Sequence, residues 1–184
     1  EAVFKPRELG DRDGWARTPM EVATYKLNRI LGMDMVAPAA YRRNMVLNGQ
    51  HFAEGALIAW VPDSHQVNNV PKELWKPTHE AFASDLRVLQ MLGRDADHEN
   101  ISNVMRGRHW KDGKYRLVKI DNEAAMRPGA SVELHYKSAL WGKVTRFNPS
   151  TYKRLKELNF ADLKGDLGEF MGDHEIREWL ATRD

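Results

Sequence analysis

The chain has 184 residues, of which 42% are hydrophobic and 29% charged, with 28 Lys+Arg against 26 Asp+Glu for a net charge of +2. This is the composition of a folded domain with its own core, and the near-balanced charge gives no reason to expect a specific nucleic-acid binder. The absence of cysteine excludes disulfides, thiolate-bound metal and thiol catalysis, and no apolar run approaches the ~20 residues needed to span a bilayer.

Ala2–Lys5 is a short apolar strand stopped by Pro6, and the polar stretch 7–17 follows as a loop. Thr18-Pro19-Met20-Glu21 carries the marks of a helix start. Thr18 can cap, Pro19 fits the first helical position, and Glu21 stands three residues after the cap, as a capping box requires. Ala23, Leu27, Ile30 and Leu31 then recur on one helical face, and Gly32 ends it. Val36–Leu47 and Ala56–Val61 read as strands, with Asn48-Gly49 as a turn. Pro62-Asp63-Ser64 breaks the run, so a boundary between an N-terminal lobe (1–62) and a C-terminal lobe (63–184) falls there.

Residues 78–92 form a second helix with Phe82, Leu86 and Leu89 on one face. The polar loop 94–103 leads into two strands, about 103–110 and 115–120, joined through Asp112-Gly113. Residues 122–135 are irregular. Two or three helices close the chain, one starting at Asn148-Pro149 and another running from about Asp173 to Thr182. The hairpin is basic (Arg106, Arg108, His109, Lys111, Lys114, Arg116, Lys119), and a charged solvated face explains this better than a docking surface. The tryptophans are scattered singly, as packing residues are.

The loop Gly93–Asn103 is the most informative segment, since so many polar groups are costly to bury unless they bind something. The hairpin after it delivers Asp121 at the end of an apolar strand. Phosphoryl transfer needs such parts: one carboxylate to orient or deprotonate the attacking hydroxyl, then an Asn and a second Asp to hold Mg²⁺ on the phosphates. Asp95 and Asn100 have the five-residue spacing of catalytic loops, and Asp121 is the natural candidate for the second metal ligand. Lys5 ends a strand where it can reach phosphates, Glu21 can pair with it, and the backbone at Trp60-Val61 can receive an adenine ring.

In order along the chain, Val3-Phe4-Lys5-Pro6, the helix from Glu21 to Met33 and Val36-Ala37-Pro38 resemble the atypical kinase group. That group includes phosphatidylinositol 3-/4-kinase-like proteins, HipA-like kinases and secretory-pathway casein kinases. Asp95…Asn100-Ile101-Ser102 is similar to the HipA-like catalytic loop, and Lys111–Tyr115 with Ile120-Asp121 resembles the lipid-kinase hairpin. The resemblance covers about residues 3 to 125. It implies a two-lobed α+β kinase-like fold, a small sheet-and-helix lobe and a mostly helical one, acting with ATP and Mg²⁺ on a hydroxyl of a protein or small molecule. By it Lys5 binds phosphate, Glu21 partners Lys5, Asp95 is catalytic, and Asn100 and Asp121 hold the metal.

There are departures. The His expected two residues after the catalytic Asp is replaced by Asp97, with His98 next; shifting the assignment to Asp97 and Asn103 makes the spacing six, so Asp95 and Asn100 are preferred. Asp121 is followed by Asn122-Glu123 instead of Phe-Gly. Only four residues precede Lys5, so the strand pair and glycine-rich loop that usually cover the phosphates have no counterpart in this stretch. Two further readings stay open: a pseudokinase that binds nucleotide or a partner, and a phosphoesterase with Asp95, Asp97, His98 and Asp121 around a metal.

Overall fold

The computed structural model describes residues 1–7, 18–93, 95, 97, 100–125 and 148–183. Most of the loop expected over 7–17, the irregular stretch beyond residue 125, His98, Trp15 and Trp141 lie outside them.

Two three-stranded antiparallel sheets frame the molecule. In the first, β1 (Ala2–Pro6) and β2 (Ala39–Leu47) flank β3 (Gln50–Ala59). The β2–β3 hairpin closes through Asn48-Gly49, both at positive φ (50° and 79°), with Leu47 opposite Gln50. Such a two-residue turn matches the right-handed twist of its strands. In the second sheet, β4 (His65–Gln66) pairs with β5 (Val104–Arg108), and β5 with β6 (Tyr115–Lys119). Helix α1 (Pro19–Ile30) packs on β2 and β3, and also on α2 (Lys76–Gly93). Three helices close the chain: α3 (Pro149–Glu157), α4 (Phe160–Leu167) and α5 (Asp173–Arg183). Asn148 and Asn159 cap α3 and α4 by accepting from Ser150 N–H and Asp162 N–H.

One large core holds the helices together. Ala23 and Leu27 of α1, with Leu31 just past its end, meet Leu86 and Leu89 of α2, with Leu163, Leu167, Ile176 and Trp179 from α4 and α5, all buried. Burying side chains of this size contributes ~1.5–3 kcal/mol each. A smaller cluster of Ala37, Val61 and Val118, with Ile58 and Ile120 against it, lies beneath the space between the two sheets.

Several sequence expectations are corrected. β2 begins at Ala39 because Met35 and Val36 belong to the second sheet: Met35 C=O accepts from Lys119 N–H at 2.6 Å and Val36 bridges Lys119 in parallel. β3 begins earlier, at Gln50, and ends at Ala59; Trp60 N–H still donates across to Glu1 C=O at 3.1 Å, and Val61 then turns into the small cluster. The capping box is not made. Thr18 has helical angles (φ −47°, ψ −37°) and no side-chain cap bond, whereas a capping residue needs extended backbone. Its hydroxyl reaches instead toward Glu123 Oε1 at 3.4 Å, which leaves Glu21 for another partner. On the basic hairpin, Arg108 and Lys111 are exposed and Arg116 half-exposed, as a solvated face requires, pairing with Asp63 at 2.6 Å, Asp34 at 2.8 Å and Asp112 at 2.5 Å, and the exceptions are His109 and Lys119, which are buried.

Candidate active site

Lys5 joins segments far apart in sequence. In β1 it sits opposite Ala56, with Val3 on the same side of the strand and Phe4 on the other, edge-on to Phe52. Gly55 permits this, because a Cβ there would lie 2.4 Å from Lys5 C=O and 2.6 Å from the Phe4 ring. Lys5 Nζ donates to Glu21 Oε1 and to Asp121 Oδ1, each at 2.7 Å, with Glu123 Oε2 at 3.7 Å. Partial burial disfavours the Lys5 ammonium, but the charge of Glu21 and the hydrogen bonds to Asp121 and Glu21 outweigh it, so its pKa lies above that of an ordinary lysine. Glu21 is 1% exposed, and its second oxygen accepts from Asn122 Nδ2 at 3.0 Å. Lys5, Glu21 and Asp121, all three named from sequence, therefore meet.

Asp121 occupies the left-handed region (φ 56°), uncommon outside glycine though tolerated by Asp and Asn. Its backbone is held by Lys119, whose buried ammonium donates to Ile120 C=O at 2.9 Å and Asp121 C=O at 3.0 Å and lies 3.5 Å from Asp95 Oδ2. A lysine is almost never buried without such partners. Asp95 is itself 3% exposed and accepts from Asp97 N–H at 3.0 Å.

The rest of the loop gathers on Asp97. Its Oδ2 accepts from Asn103 Nδ2 at 2.7 Å and Asn100 Nδ2 at 3.0 Å. Asn100 spends its own oxygen on Ser102, accepting from the backbone N–H at 3.2 Å and the hydroxyl, which caps the short 3₁₀ turn Ile101–Asn103. Asn103 is buried and faces the second hairpin strand through its carbonyl, which accepts from Ile120 N–H at 2.9 Å. The structure thus brings Asp95 to Lys119, beneath Asp121, and Asn100 to the exposed turn.

Between the sheets lies a cleft of about 240 Å³. Val3, Ile58 and Ala59 form one wall and Met105 and Ile120 the other. Trp60, Val61 and Ser64 close the back, while Lys5 and Asp121 stand at its polar end. Gly107 lets β5 approach the connector, since a Cβ there would lie 2.5 Å from Val61 Cγ1. Trp60 is half-exposed and Val61 buried. Trp60 N–H is taken by Glu1, which removes one of the backbone groups expected to receive a base.

Sequence reasoning missed three residues. Lys119 interrupts the apolar run Leu117-Val118-Lys119-Ile120, and that interruption was the available signal. Asn122 and Glu123 were noted only as departures from Phe-Gly, yet both reach α1 or its start. Burial pushes the Glu123 carboxyl up, and the favourable charge of Lys5 is opposed by the like charges of Glu21 and Asp121. Among the described residues no three or more His, Asp or Glu are grouped to hold a metal ion. The Lys5 ammonium lies among the three carboxylates instead. Of the four residues of the phosphoesterase reading, Asp95, Asp97, His98 and Asp121, His98 lies outside the described residues, and Asp95 and Asp121 are engaged with Lys119 and Lys5 respectively.

No protein-family model matches the chain, and neither does any curated protein. Solved structures do. The chain is similar to two crystal structures of the Golgi casein kinase, one with Mn/ADP bound, at TM-scores of 0.65 and 0.66 and 13% identity in both. The match covers 99% of this chain and 65% and 64% of those chains, so the sequence spans about two-thirds of their length. The likeness shows the fold: mixed helices and antiparallel sheets in a kinase-like α+β arrangement.

Proposed function

We propose that the chain is an ATP-dependent phosphotransferase of the atypical kinase type. The observation that carries this reading is the bridge from Lys5 to Glu21 and Asp121, both at 2.7 Å, joining β1, α1 and the end of the second hairpin at the polar end of an apolar cleft. A lysine–glutamate pair next to a metal-binding aspartate is the arrangement that neutralises and orients a triphosphate. The two lobes are read as residues 1–62 and 63–184, with the nucleotide between them.

The cleft is smaller than the ~300–1,000 Å³ of sites that enclose drug-sized ligands. It suits a planar base between Val3, Ile58 and Met105, near Trp60 and Val61, with the phosphates extending toward Lys5. Asp121 is half-exposed and offers the hard oxygen donors that Mg²⁺ or Mn²⁺ takes, with an Asn carboxamide as second ligand. The ion would neutralise charge on the phosphates. Of the two Asp/Asn pairs in the loop, the contacts favour Asp97 with Asn103 over Asp95 with Asn100. Asp95 is buried against Lys119 and Asn100 spends its carboxamide oxygen on Ser102, whereas Asp97 is partly exposed and accepts from both Asn103 and Asn100, the shorter bond being to Asn103. In the reaction the acceptor oxygen attacks the γ-phosphorus, its proton passes to Asp97, and the bond to the β-phosphate oxygen breaks to release ADP. Lys5, held by Glu21, balances the charge on the phosphates.

A thermal-shift titration with ATP, with and without Mg²⁺ or Mn²⁺, tests binding. A metal-dependent rise is expected, and Asp121→Asn should abolish it while leaving the nucleotide-free melting temperature within a few degrees. Transfer of label from γ-labelled ATP, lost in Asp97→Asn, identifies the kinase. Label transferred only from α-labelled ATP signifies AMP transfer. A nucleotide shift with no transfer supports the pseudokinase reading, and no shift at all overturns nucleotide binding.

A further inference from the structure

Three consecutive side chains after β6 reach the N-terminal half. Asp121 meets Lys5, Asn122 meets Glu21 and Glu123 meets Thr18. The middle contact stands apart because both partners are buried, at 1% and 2% exposure, and lie 101 residues apart. In a protein kinase the lysine–glutamate pair and the metal-binding aspartate must be in place together, and displacement of the helix carrying the glutamate is a common means of control. Here that glutamate is tied by a charge-assisted hydrogen bond to the residue next to the metal-site aspartate.

We propose that Asn122 is a positioning residue: by holding the inner oxygen of Glu21 it turns the outer oxygen onto Lys5, so that Lys5, Glu21 and Asp121 form one preassembled unit. The inference rests on the nucleotide-site reading above.

Chemistry supports the choice of side chain. A buried carboxylate needs a donor on each oxygen, and Glu21 has Lys5 on one and Asn122 on the other. A carboxamide supplies that donor without adding charge. The charged groups near Glu21 are Lys5 and, beyond it, Asp121 and Glu123. A second carboxylate on the inner side would oppose ionised Glu21, and an apolar side chain would leave one oxygen desolvated and unpaired. Either change loosens the grip of Glu21 on Lys5.

The test measures Mg-ATP affinity of the full chain for Asn122→Leu and Asn122→Asp, each alone and combined with Glu21→Gln. Asn122→Leu should weaken binding by about tenfold, the scale expected for a lost hydrogen bond to a charged group. Asn122→Asp should weaken it as well, because it sets a second carboxylate against Glu21. With Glu21→Gln in place neither change should weaken binding further, since no charged glutamate is left to hold. A folded Asn122→Leu with wild-type affinity, or a loss that persists in full on the Glu21→Gln background, overturns the proposal. If Asn122→Leu does not fold, an Asn122→Asp protein with wild-type affinity overturns it. A wild type that binds no ATP overturns the nucleotide-site reading itself, and this inference with it.

Discussion

A cation without water around it must be surrounded by oxygens, and Lys119 has three within 3.5 Å: the carbonyls of Ile120 and Asp121 and a carboxylate oxygen of Asp95. Breaking one partner from a buried pair costs ~3–5 kcal/mol, mostly because the remaining charge is stranded, whereas neutralising both costs much less. Lys119→Met should therefore destabilise the protein by about that amount in urea unfolding. Asp95→Asn on that background should recover much of the loss, with a coupling of more than ~1 kcal/mol. Additive effects would show that the two groups do not act as a pair. Lys119→Met should also impair Mg-ATP binding beyond its effect on stability, because the left-handed backbone at Asp121 loses the bond to its own carbonyl.

At the scale of elements, the site depends on two close approaches that glycine allows, β1 against β3 at Gly55 and β5 against the connector at Gly107. Gly55→Ala would put a Cβ 2.4 Å from a backbone oxygen of Lys5. Backbone cannot swing aside as a long side chain can, so β1 must shift. Overpacking of this kind costs ~1–3 kcal/mol, and a displaced β1 moves Lys5 away from Glu21. The expected outcome is a lower melting temperature together with a smaller ATP-induced shift; an undisturbed ATP response would mean that β1 does not position Lys5. Local patterns made much of this architecture legible in the sequence. The Asn48-Gly49 turn, the apolar face of α1, Asn148-Pro149 and the hairpin ending at Asp121 follow from short-range chemistry, and the resemblance drew Lys5, Glu21 and Asp121 into one site. What stayed hidden depends on distant partners. Asp95 and Asp97 look alike as loop residues until Lys119 buries one of them. Thr18 and Glu21 satisfy a capping box in sequence until Asn122 and Lys5 claim the glutamate.

Over the whole molecule, one buried histidine couples the second hairpin to the segment entering the first sheet. His109 has a fully buried side chain. Its Nδ1 accepts from Lys111 N–H at 3.3 Å, so Nε2 carries the proton and donates to Asp34 C=O at 3.1 Å. This neutral tautomer satisfies both nitrogens. Burial lowers its pKa from 6.5, against the favourable charge of Asp34. In the unfolded chain the ring takes up a proton near pH 6.5; in the folded chain it does so only at lower pH. The unfolded state therefore binds more protons in that window, and stability is lost as pH falls from about 6.5 through the folded value. Glu123 has the opposite sign: its raised pKa, from a carboxylate value of 4.5, favours the folded state as pH falls, so it opposes the histidine wherever their windows overlap. Urea unfolding at pH 7.5 and 5.5 should thus show lower stability at the acid end in wild type. His109→Gln, which keeps polar atoms at the site without a titrating ring, should reduce that difference, whereas Glu123→Gln, which removes a group of the opposite sign, should not reduce it. If His109→Gln keeps the full acid loss, proton uptake elsewhere governs the pH response, and the hairpin does not set it.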